Sequence, residues 1–538
     1  MALAHDPAAA SASPQPASSV PASSAGEPAP LSGLTLALGT VALSLATFMN
    51  VLDTSIANVS LPAIAGDLGV SPDQGTWVIT SFGVANAISL PLTGWLTQRY
   101  GQVRLFVASV LLFVLASFLC ALAPTLGVLI ALRVVQGAVA GPMIPLSQSL
   151  LLSSFPKAKA GSALAIWGIT TLVAPVVGPL LGGWITDNIS WPWIFYINVP
   201  VGLAAVAVTW MIYRTRESPT RKLPIDGVGL GLLVLWVGAL QIMLDKGKDL
   251  DWFGSTQIWL LAIAASVGFA VFVVWELTER HPVVDLRLFA RRNFWTSSLA
   301  MSLAYGAFFG NVVLLPLWLQ QYMGYTATQA GMVLAPVGVL AIVLTPFVGR
   351  NINKVDPRIF VTGAFLIFAL VLFMRADFNT SADFWTLMVP TIIQGAAVAI
   401  FFIPLVTLSL SGLSPDRIPS ASGIFNFARI TAGSFGTSIA TTAWDHRATL
   451  HHAQLVEHLS SADAASSQAL ATLHASGLTP DQSYALLNRL VDQQAFMLSA
   501  NDVFYVSGLL FLALIVVVWL ARPVRGVPQA SEAAAGAH

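Results

Sequence analysis

An all-α polytopic membrane protein, with fourteen transmembrane helices grouped six, two and six, is the fold class that this sequence predicts. Three observations carry the prediction: the composition, the spacing of the long apolar stretches, and the placement of Lys and Arg between them. Of 538 residues, 56% are hydrophobic and 9% charged, and the mean hydropathy is +0.76. An ordinary soluble domain carries about 25% charge, so a soluble enzyme is excluded. The 25 Lys and Arg are balanced by 25 Asp and Glu, which leaves no basic surface for neutralising phosphates and argues against a nucleic-acid partner. The one cysteine, Cys120, excludes an intramolecular disulfide.

A hydrocarbon core of about 30 Å takes roughly 20 apolar residues per helix. Residues 1–33 are rich in Ala, Ser and Pro and hold no Lys or Arg, which predicts a disordered cytoplasmic tail and not a signal peptide. Apolar stretches then begin near Leu34, Thr76, Val103, Gly127, Gly161 and Pro192, and the run ends at the basic segment Arg214 to Lys222. Two more begin near Ile225 and Ser255 and end at a second basic segment, Arg280 to Arg292. The last six begin near Phe294, Thr328, Arg358, Asp383, Ser420 and Asn501. The expected organisation is a six-helix bundle at 34–213, a two-helix insertion with its flanking basic loops at 214–292, a second bundle at 293–522, and a cytoplasmic tail at 523–538.

With the N-terminus inside, eighteen basic residues fall on the cytoplasmic side. Five fall outside, namely Lys246, Lys248, Arg375, Arg447 and Arg489, while Arg133 and Arg429 lie within helices. The bias follows the positive-inside rule and places both termini in the cytoplasm.

The segment 446–500 is then external. It holds five of the eight histidines, His446, His451, His452, His458 and His474, but no tight ligand motif, so no metal site is expected. Thr479-Pro480-Asp481-Gln482 reads as a helix start with an N-cap, a first-turn Pro and a capping Gln. Leu486, Leu487, Leu490, Val491 and Met497 follow at helical spacing, so an external helical hairpin suited to docking is predicted.

The two blocks of six echo each other. The fourth helix of the first block reads Val134-Val135-Gln136-Gly137-Ala138, and that of the second reads Ile392-Ile393-Gln394-Gly395-Ala396. Each reaches an Ile-Pro-Leu, at Ile144 and at Ile403. Parallel duplication of this kind is a common way to build transporters.

Charged groups in a membrane are costly, by about 2.5 to 3.5 kcal/mol at mid-helix, so they mark function. Three stand well inside a span: Asp53, Arg133 and Arg429. Burial and a nearby cation push a carboxylate's proton affinity in opposite directions, which is how such a group is poised to take up and release a proton. Arg133 has the charge to be the partner of Asp53, while Arg429 fits either an anchor for an anionic group or a structural tie. On the fifth helix Ala174, Gly178 and Gly182 fall at i, i+4 and i+8 and make one smooth face, while Pro175 and Pro179 bend the helix. Gly183 completes a Gly-Pro then Gly-Gly pattern. The short loop Gly94 to Arg104 holds Gly94, Arg99, Gly101 and Arg104, a combination that lets two helix ends approach and be tied. A phosphate-binding Gly-Lys loop, an ATPase-sized soluble stretch and a nucleophile–base pair are all missing from the sequence. The expectation is therefore a non-enzyme with no resident cofactor; if it pumps, the energy comes from an ion gradient or from a partner.

From about Leu34 to Arg522 the chain resembles the fourteen-helix drug:proton antiporters of the major facilitator superfamily. Leu52-Asp53-Thr54 with Asn58 and Leu61-Pro62 is similar to that family's first-helix signature, and Arg133-Val134-Val135-Gln136-Gly137 to its fourth-helix signature. Gly178-Pro179-Leu180-Leu181-Gly182-Gly183 resembles the antiporter motif, and Trp193-Ile194-Phe195-Tyr196-Ile197-Asn198-Val199-Pro200 a sixth-helix opening.

The resemblance implies the major facilitator fold, alternating access, and proton influx driving export of hydrophobic drug-like small molecules across a bacterial inner membrane. It implies Asp53 and Arg133 as the coupling pair, the loop at 94–104 as a gate, and Asn58 and Gln136 beside Arg429 as substrate-binding candidates. It also implies a periplasmic membrane-fusion adaptor and a TolC-type outer-membrane channel as partners. Two departures stand out: Gln98 replaces the loop's usual Asp, and Gln102 and Val103 its basic pair, which argues against a charge-relay gate there. Alternatives are a dedicated exporter of one metabolite, such as a siderophore or fatty acid, and a non-transporting scaffold or sensor.

Overall fold

The computed structural model describes residues 30–523 apart from 157–158, 223, 353, 458 and 460–463. The predicted tails therefore fall almost wholly outside the described residues. Fourteen long helical segments follow one another: α1 Gly33–Asp67, α2 Trp77–Tyr100, α3 Gln102–Ala121, α4 Leu126–Ala140 with Met143–Ser154, α5 Ala160–Asn188, and α6 Trp193–Tyr196 with Asn198–Tyr213. Then come α7 Gly227–Lys246, α8 Thr256–Thr278, α9 Arg292–Tyr322, and α10 Ala327–Leu334 with Pro336–Asn351. The last are α11 Pro357–Ala376, α12 Phe384–Leu410, α13 Ile418–Glu457 and α14 Pro480–Trp519. Among the described residues, twelve are long and apolar enough to cross a bilayer by length and composition. The first half of α13 is polar because it faces protein: Ser420, Ser422, Asn426, Arg429 and Thr431 are all buried.

Two sequence expectations need correction. The helix that carries the span expected near Asn501 begins already at Pro480, and the helix expected near Ser420 runs on to Glu457. The segment 446–500 is thus mainly a continuation of α13 and α14, with a short helix Ala464–Ala475 between them. The apolar periodicity from Leu486 onward passes into the membrane span with no Pro to interrupt it. The predicted start holds: Thr479 N donates to Gln482 Oε1 (2.9 Å) and Gln482 N donates back to Thr479 Oγ1 (3.3 Å). The second correction is Arg375, expected in an external loop and instead buried on α11 at 1% exposure.

Small residues set the helix spacing. An added Cβ on Gly137 of α4 would lie 2.3 Å from the Phe82 carbonyl of α2, and one on Gly395 of α12 would lie 2.4 Å from the Val337 carbonyl of α10. These glycines occupy the echoed Gln-Gly positions, so the sequence repeat is also a packing repeat. Gly306 and Gly310 of α9 press against Ala432 and Gly436 of α13 in the same manner.

The chain ends share one end of the bundle, where Leu31 N donates to Ser154 O (2.9 Å) and Arg292 Nε to Leu520 O (2.6 Å). The first and last six helices are pressed together in this terminal half. A Cβ on Gly161 of α5 would sit 2.0 Å from Ile352 and 2.7 Å from the Gly349 carbonyl, and one on Gly94 of α2 would meet Ser420 of α13. Ser422 and Asn426 of α13 both donate to Gln148 Oε1 of α4, Asn426 at 3.2 Å. Above them Trp167 of α5 stacks on Phe402 of α12 at 5.6 Å.

The inserted α7 lies along α2 and α13, and α8 packs on its outer side. At the far end Lys246 Nζ donates to Thr76 Oγ1 (2.8 Å), Lys248 pairs with Asp445 (2.8 Å), and Trp252 Nε1 donates to Thr442 (2.9 Å). The insertion therefore holds on to both six-helix blocks.

Candidate functional site: a buried carboxylate held by four helices

Asp53 sits in the interior of α1 at 1% exposure, and its charge is answered from two sides. Arg133 Nη1 of α4 donates to Asp53 Oδ2 at 2.5 Å. Gln136 Nε2, one turn on along α4, donates to Asp53 Oδ1 at 3.1 Å, and Asn198 Nδ2 of α6 donates to the same oxygen at 2.9 Å. Arg133 itself is fully buried. Its Nε donates to the Val78 carbonyl (3.0 Å), Nη1 is shared with Gln136 Oε1 (2.8 Å), and the guanidinium lies 4.2 Å over the Phe82 ring. Nη2 has no hydrogen-bond partner among the described residues. Ser117 of α3 extends the network, accepting from Asn198 Nδ2 (3.0 Å) and donating to Phe195 O (2.9 Å).

A carboxylate with three donors in a water-poor interior is stable only while those donors keep their geometry, because a stranded buried charge is expensive. Protonation would remove the charge and the reason for the Arg133 contact. One carboxylate thus ties α1, α4 and α6 together.

The smooth face of α5 packs against the residues that directly follow Asp53. A Cβ on Gly178 would lie 2.6 Å from the Ser55 Cβ, and one on Gly182 2.7 Å from Ile56 Cγ1, whereas on Gly183 the nearest neighbour is Val59 at 3.8 Å. Ser60 and Thr186 are bonded across the same contact at 2.7 Å. Through Pro179 the backbone stays in one helix. Any sliding of α5 is thus felt beside the carboxylate.

Not every predicted residue joins this site. Asn58 is exposed on α1, away from the network. The segment from Gly94 to Arg104, expected as a loop, is the last turns of α2 and the first turn of α3 with Gly101 alone between them, and it is a docking joint: Glu217, from the segment after α6, accepts from Val103 N and Arg104 N, both at 2.9 Å, and caps α3. Arg221 N donates to Gln98 O (2.7 Å), the Arg104 side chain reaches Glu217 only at 3.9 Å, and Gly101 takes φ +90°. Arg99 lies 5.4 Å over Trp95. Arg429 stands apart from Asp53, at 5% exposure, with its guanidinium 4.8 Å from the Tyr305 ring and 5.0 Å from the Phe402 ring. Its Nε has no partner among the described residues.

Sequence reasoning missed three participants. Asn198 was read only as part of a sixth-helix signature, and Ser117 gave no signal. The third is Arg375, whose Nη2 donates to Thr391 Oγ1 (3.1 Å) and Gln394 Oε1 (2.7 Å) on α12. Gln394 is the repeat partner of Gln136, so each half sets one buried arginine on its echoed glutamine. Of the five histidines in 446–500, His451 Nε2 lies 2.8 Å from Asp502, which also pairs with Arg447 at 2.6 Å, and His452 Nε2 lies 3.2 Å from Asn488 Oδ1, while His458 lies outside the described residues. Among the described residues no cluster could hold a metal ion.

Two six-helix blocks that close on each other at one end, the first of them holding a buried ion pair, define a membrane carrier. The Major Facilitator Superfamily model matches residues 43–437, and the chain belongs to that superfamily. It is 52% identical over 482 residues to the multidrug export protein EmrB of Haemophilus influenzae, covering 89% of this chain and 94% of that one. It is 50% identical over 494 residues to EmrB of Escherichia coli K12 (92% and 96%) and 47% identical over 478 residues to the fatty acid resistance protein FarB of Neisseria gonorrhoeae (89% and 94%). Among solved structures, the human organic anion transporter MFSD10 superposes with TM-score 0.58 at 12% identity, covering 90% of this chain and 99% of that one. A double-Trp mutant of XylE does so with TM-score 0.55 at 14% identity (91% and 96%). These two share the fold.

Proposed function

We propose that the protein is a proton-driven multidrug efflux antiporter of the bacterial inner membrane, with both termini cytoplasmic. Half of its residues are identical to proteins named for multidrug export, over nine-tenths of the chain. The observation that carries the coupling is the Asp53 carboxylate, buried at the junction of α1, α4 and α6 with Arg133, Gln136 and Asn198 as its donors. Proton uptake by Asp53 releases Arg133, α5 shifts on α1, and the blocks part at the terminal end. Proton release restores the pair. With the termini inside, the closed terminal end described above is the outward-facing form of the cycle. Apolar contacts discriminate by only about 1 to 3 kcal/mol per methylene, which suits broad selectivity. The projecting ends of α13 and α14 supply a surface for a periplasmic membrane-fusion adaptor that leads to a TolC-type channel.

Substrate-induced proton movement in liposomes holding the purified protein tests this reading. Flux that depends on substrate and disappears in Asp53→Asn is the expected result. Full coupling in the folded variant would remove Asp53 from the mechanism, and no flux in the wild type with any substrate would favour the scaffold. A second reading, favoured by Arg429, is export of amphipathic organic acids: a buried guanidinium between two rings, with no carboxylate partner among the described residues, suits an anionic head group. FarB, by its name, concerns fatty acids. Loss of export of a long-chain fatty acid, but not of a neutral drug, in Arg429→Gln would establish it.

A further inference from the structure

One linker before α7 and another after α8 join the insertion to the two blocks, and both are anchored at the terminal end. Trp95 Nε1 of α2 donates to Pro224 O of the first linker (3.3 Å), and Arg291 Nη1 of the second donates to Gly412 O between α12 and α13 (2.7 Å). Two carboxylates stand where these linkers meet the insertion. Asp226 caps α7: its Oδ1 accepts from Gly229 N and its Oδ2 from Trp275 Nε1 of α8, both at 2.9 Å. Glu276 of α8 is 1% exposed. Its Oε2 accepts from Val284 N of the second linker at 3.1 Å, and its Oε1 has no hydrogen-bond partner among the described residues. A Cβ on Gly229 would lie 2.3 Å from Asp226 Oδ2 and 2.6 Å from Glu276 Oε1, so the two oxygens converge on one point beside α7.

The charges around Glu276 are of one sign. Asp226 and Glu279 both face it, while Arg280, past the end of α8, is exposed. An ionised Glu276 would be a buried anion beside another, with no cation to answer it, and that is costly. Two carboxyl groups so placed do not both ionise. Asp226 is half-buried and has two donors, whereas Glu276 has one donor and an empty oxygen. The proton therefore belongs on Glu276 Oε1, from which it is offered to Asp226 Oδ2. Among the described residues no cluster could hold a metal ion in its place. We infer that Glu276 and Asp226 form a proton-binding site, separate from Asp53, that clamps the two linkers of the insertion together. With the proton bound, Glu276 stays buried and holds Val284. Without it the pair becomes two like charges, and the second linker is let go. Acid closes this clamp and alkali opens it. That the proton comes from the cytoplasm rests on the orientation proposed above; that the pair holds it does not.

The test uses the full chain in lipid nanodiscs. Amide exchange in 279–291 is followed against pH and expressed as protection relative to the intrinsic rate. In the wild type protection should fall about tenfold or more as pH rises through a single one-proton transition. Glu276→Gln, whose amide can donate to Asp226 while its carbonyl accepts from Val284 N, should stay protected throughout. Asp226→Asn removes the like charge and should move the midpoint down by about one pH unit or more, which loss of a merely structural contact would not do. At pH 7 the wild type should also show a protonated-carboxyl infrared band that moves with isotope-labelled glutamate and is missing from Glu276→Gln. Absence of that band, or wild-type protection that ignores pH, would overturn the proposal. So would protection restored at high pH by sodium, potassium or magnesium ions, which would assign the pair to a metal cation. Asp53→Asn should leave the transition in place, whatever it does to transport; its disappearance there would mean that the site is not separate.

Discussion

Replacing Asp53 by Asn and Arg133 by Met, singly and together, asks how much of the fold rests on the buried pair. In Asp53→Asn one amide group must face donors whichever way it turns, because Arg133 Nη1 points at one oxygen while Gln136 and Asn198 point at the other. Losing a charged hydrogen-bond acceptor and gaining a donor–donor conflict should cost about 3 kcal/mol. Arg133→Met leaves a carboxylate at 1% exposure with only neutral donors, which should cost about 3 to 5 kcal/mol. In the double variant the Asn carbonyl can accept from Gln136 and Asn198 while its amide faces the apolar Met, so the conflict is relieved. The double cost should fall about 2 to 3 kcal/mol short of the sum. The assay is unfolding in mixed micelles, with helicity followed by circular dichroism. Additivity within about 0.5 kcal/mol, the level seen for independent sites, would mean that the pair is energetically uncoupled and would refute the argument.

Other contacts yield their own tests. Gly178→Val and Gly182→Val drive side chains into Ser55 and Ile56 and should each cost about 2 kcal/mol or more with loss of transport, whereas Gly183→Ala, with 3.8 Å of room, should behave as wild type. Glu217→Ala removes the cap of α3 and should cost about 1 kcal/mol, read as faster amide exchange at Val103 and Arg104. Asp356, just outside α11, is partly buried, which raises a carboxyl's pKa, but its bonds from Arg358 outweigh this and hold it below the usual range. A depressed carboxylate stabilises the fold above its unfolded pKa and loses that contribution as pH falls through the folded one. The stability gap between wild type and Asp356→Asn, under about 1 kcal/mol for a local pair still in contact with solvent, should exist at pH 7 and close on acidification below the ordinary carboxylate range. A gap that widened in acid would contradict the sign.

Much of this could be read from the residues because membranes penalise charge. Asp53 and Arg133 announce themselves by standing in apolar runs, and the spacing of Ala174, Gly178 and Gly182 gives the face that packs beside them. Arg375 was misplaced for the same reason in reverse: Asp377, Asn379 and Asp383 follow closely, so it reads as the edge of a loop, and only the packing of α11 on α12 buries it. Glu217 lies in a basic segment whose docking onto the 94–104 loop depends on tertiary contact. Asn198, neutral and at the head of a helix, carries no cost that a sequence displays. The position of α7 and α8 likewise follows from side-chain meetings 150 or more residues apart, such as Trp252 with Thr442.

The length of α13 and α14 has a mechanical meaning. Each is a continuous helix of 40 residues, about 60 Å at 1.5 Å per residue, twice the roughly 30 Å hydrocarbon thickness. Their halves remote from the terminal end are rigid extensions of the second block, joined where the Trp444 indole donates to Phe496 O at 2.8 Å. A rotation of that block by about 10° about the bilayer midplane would sweep the tips, about 45 Å away, through roughly 8 Å. Whatever grips the tips is worked by a lever whose short arm lies in the bilayer, so each turn of the second block is delivered at the tips as a stroke.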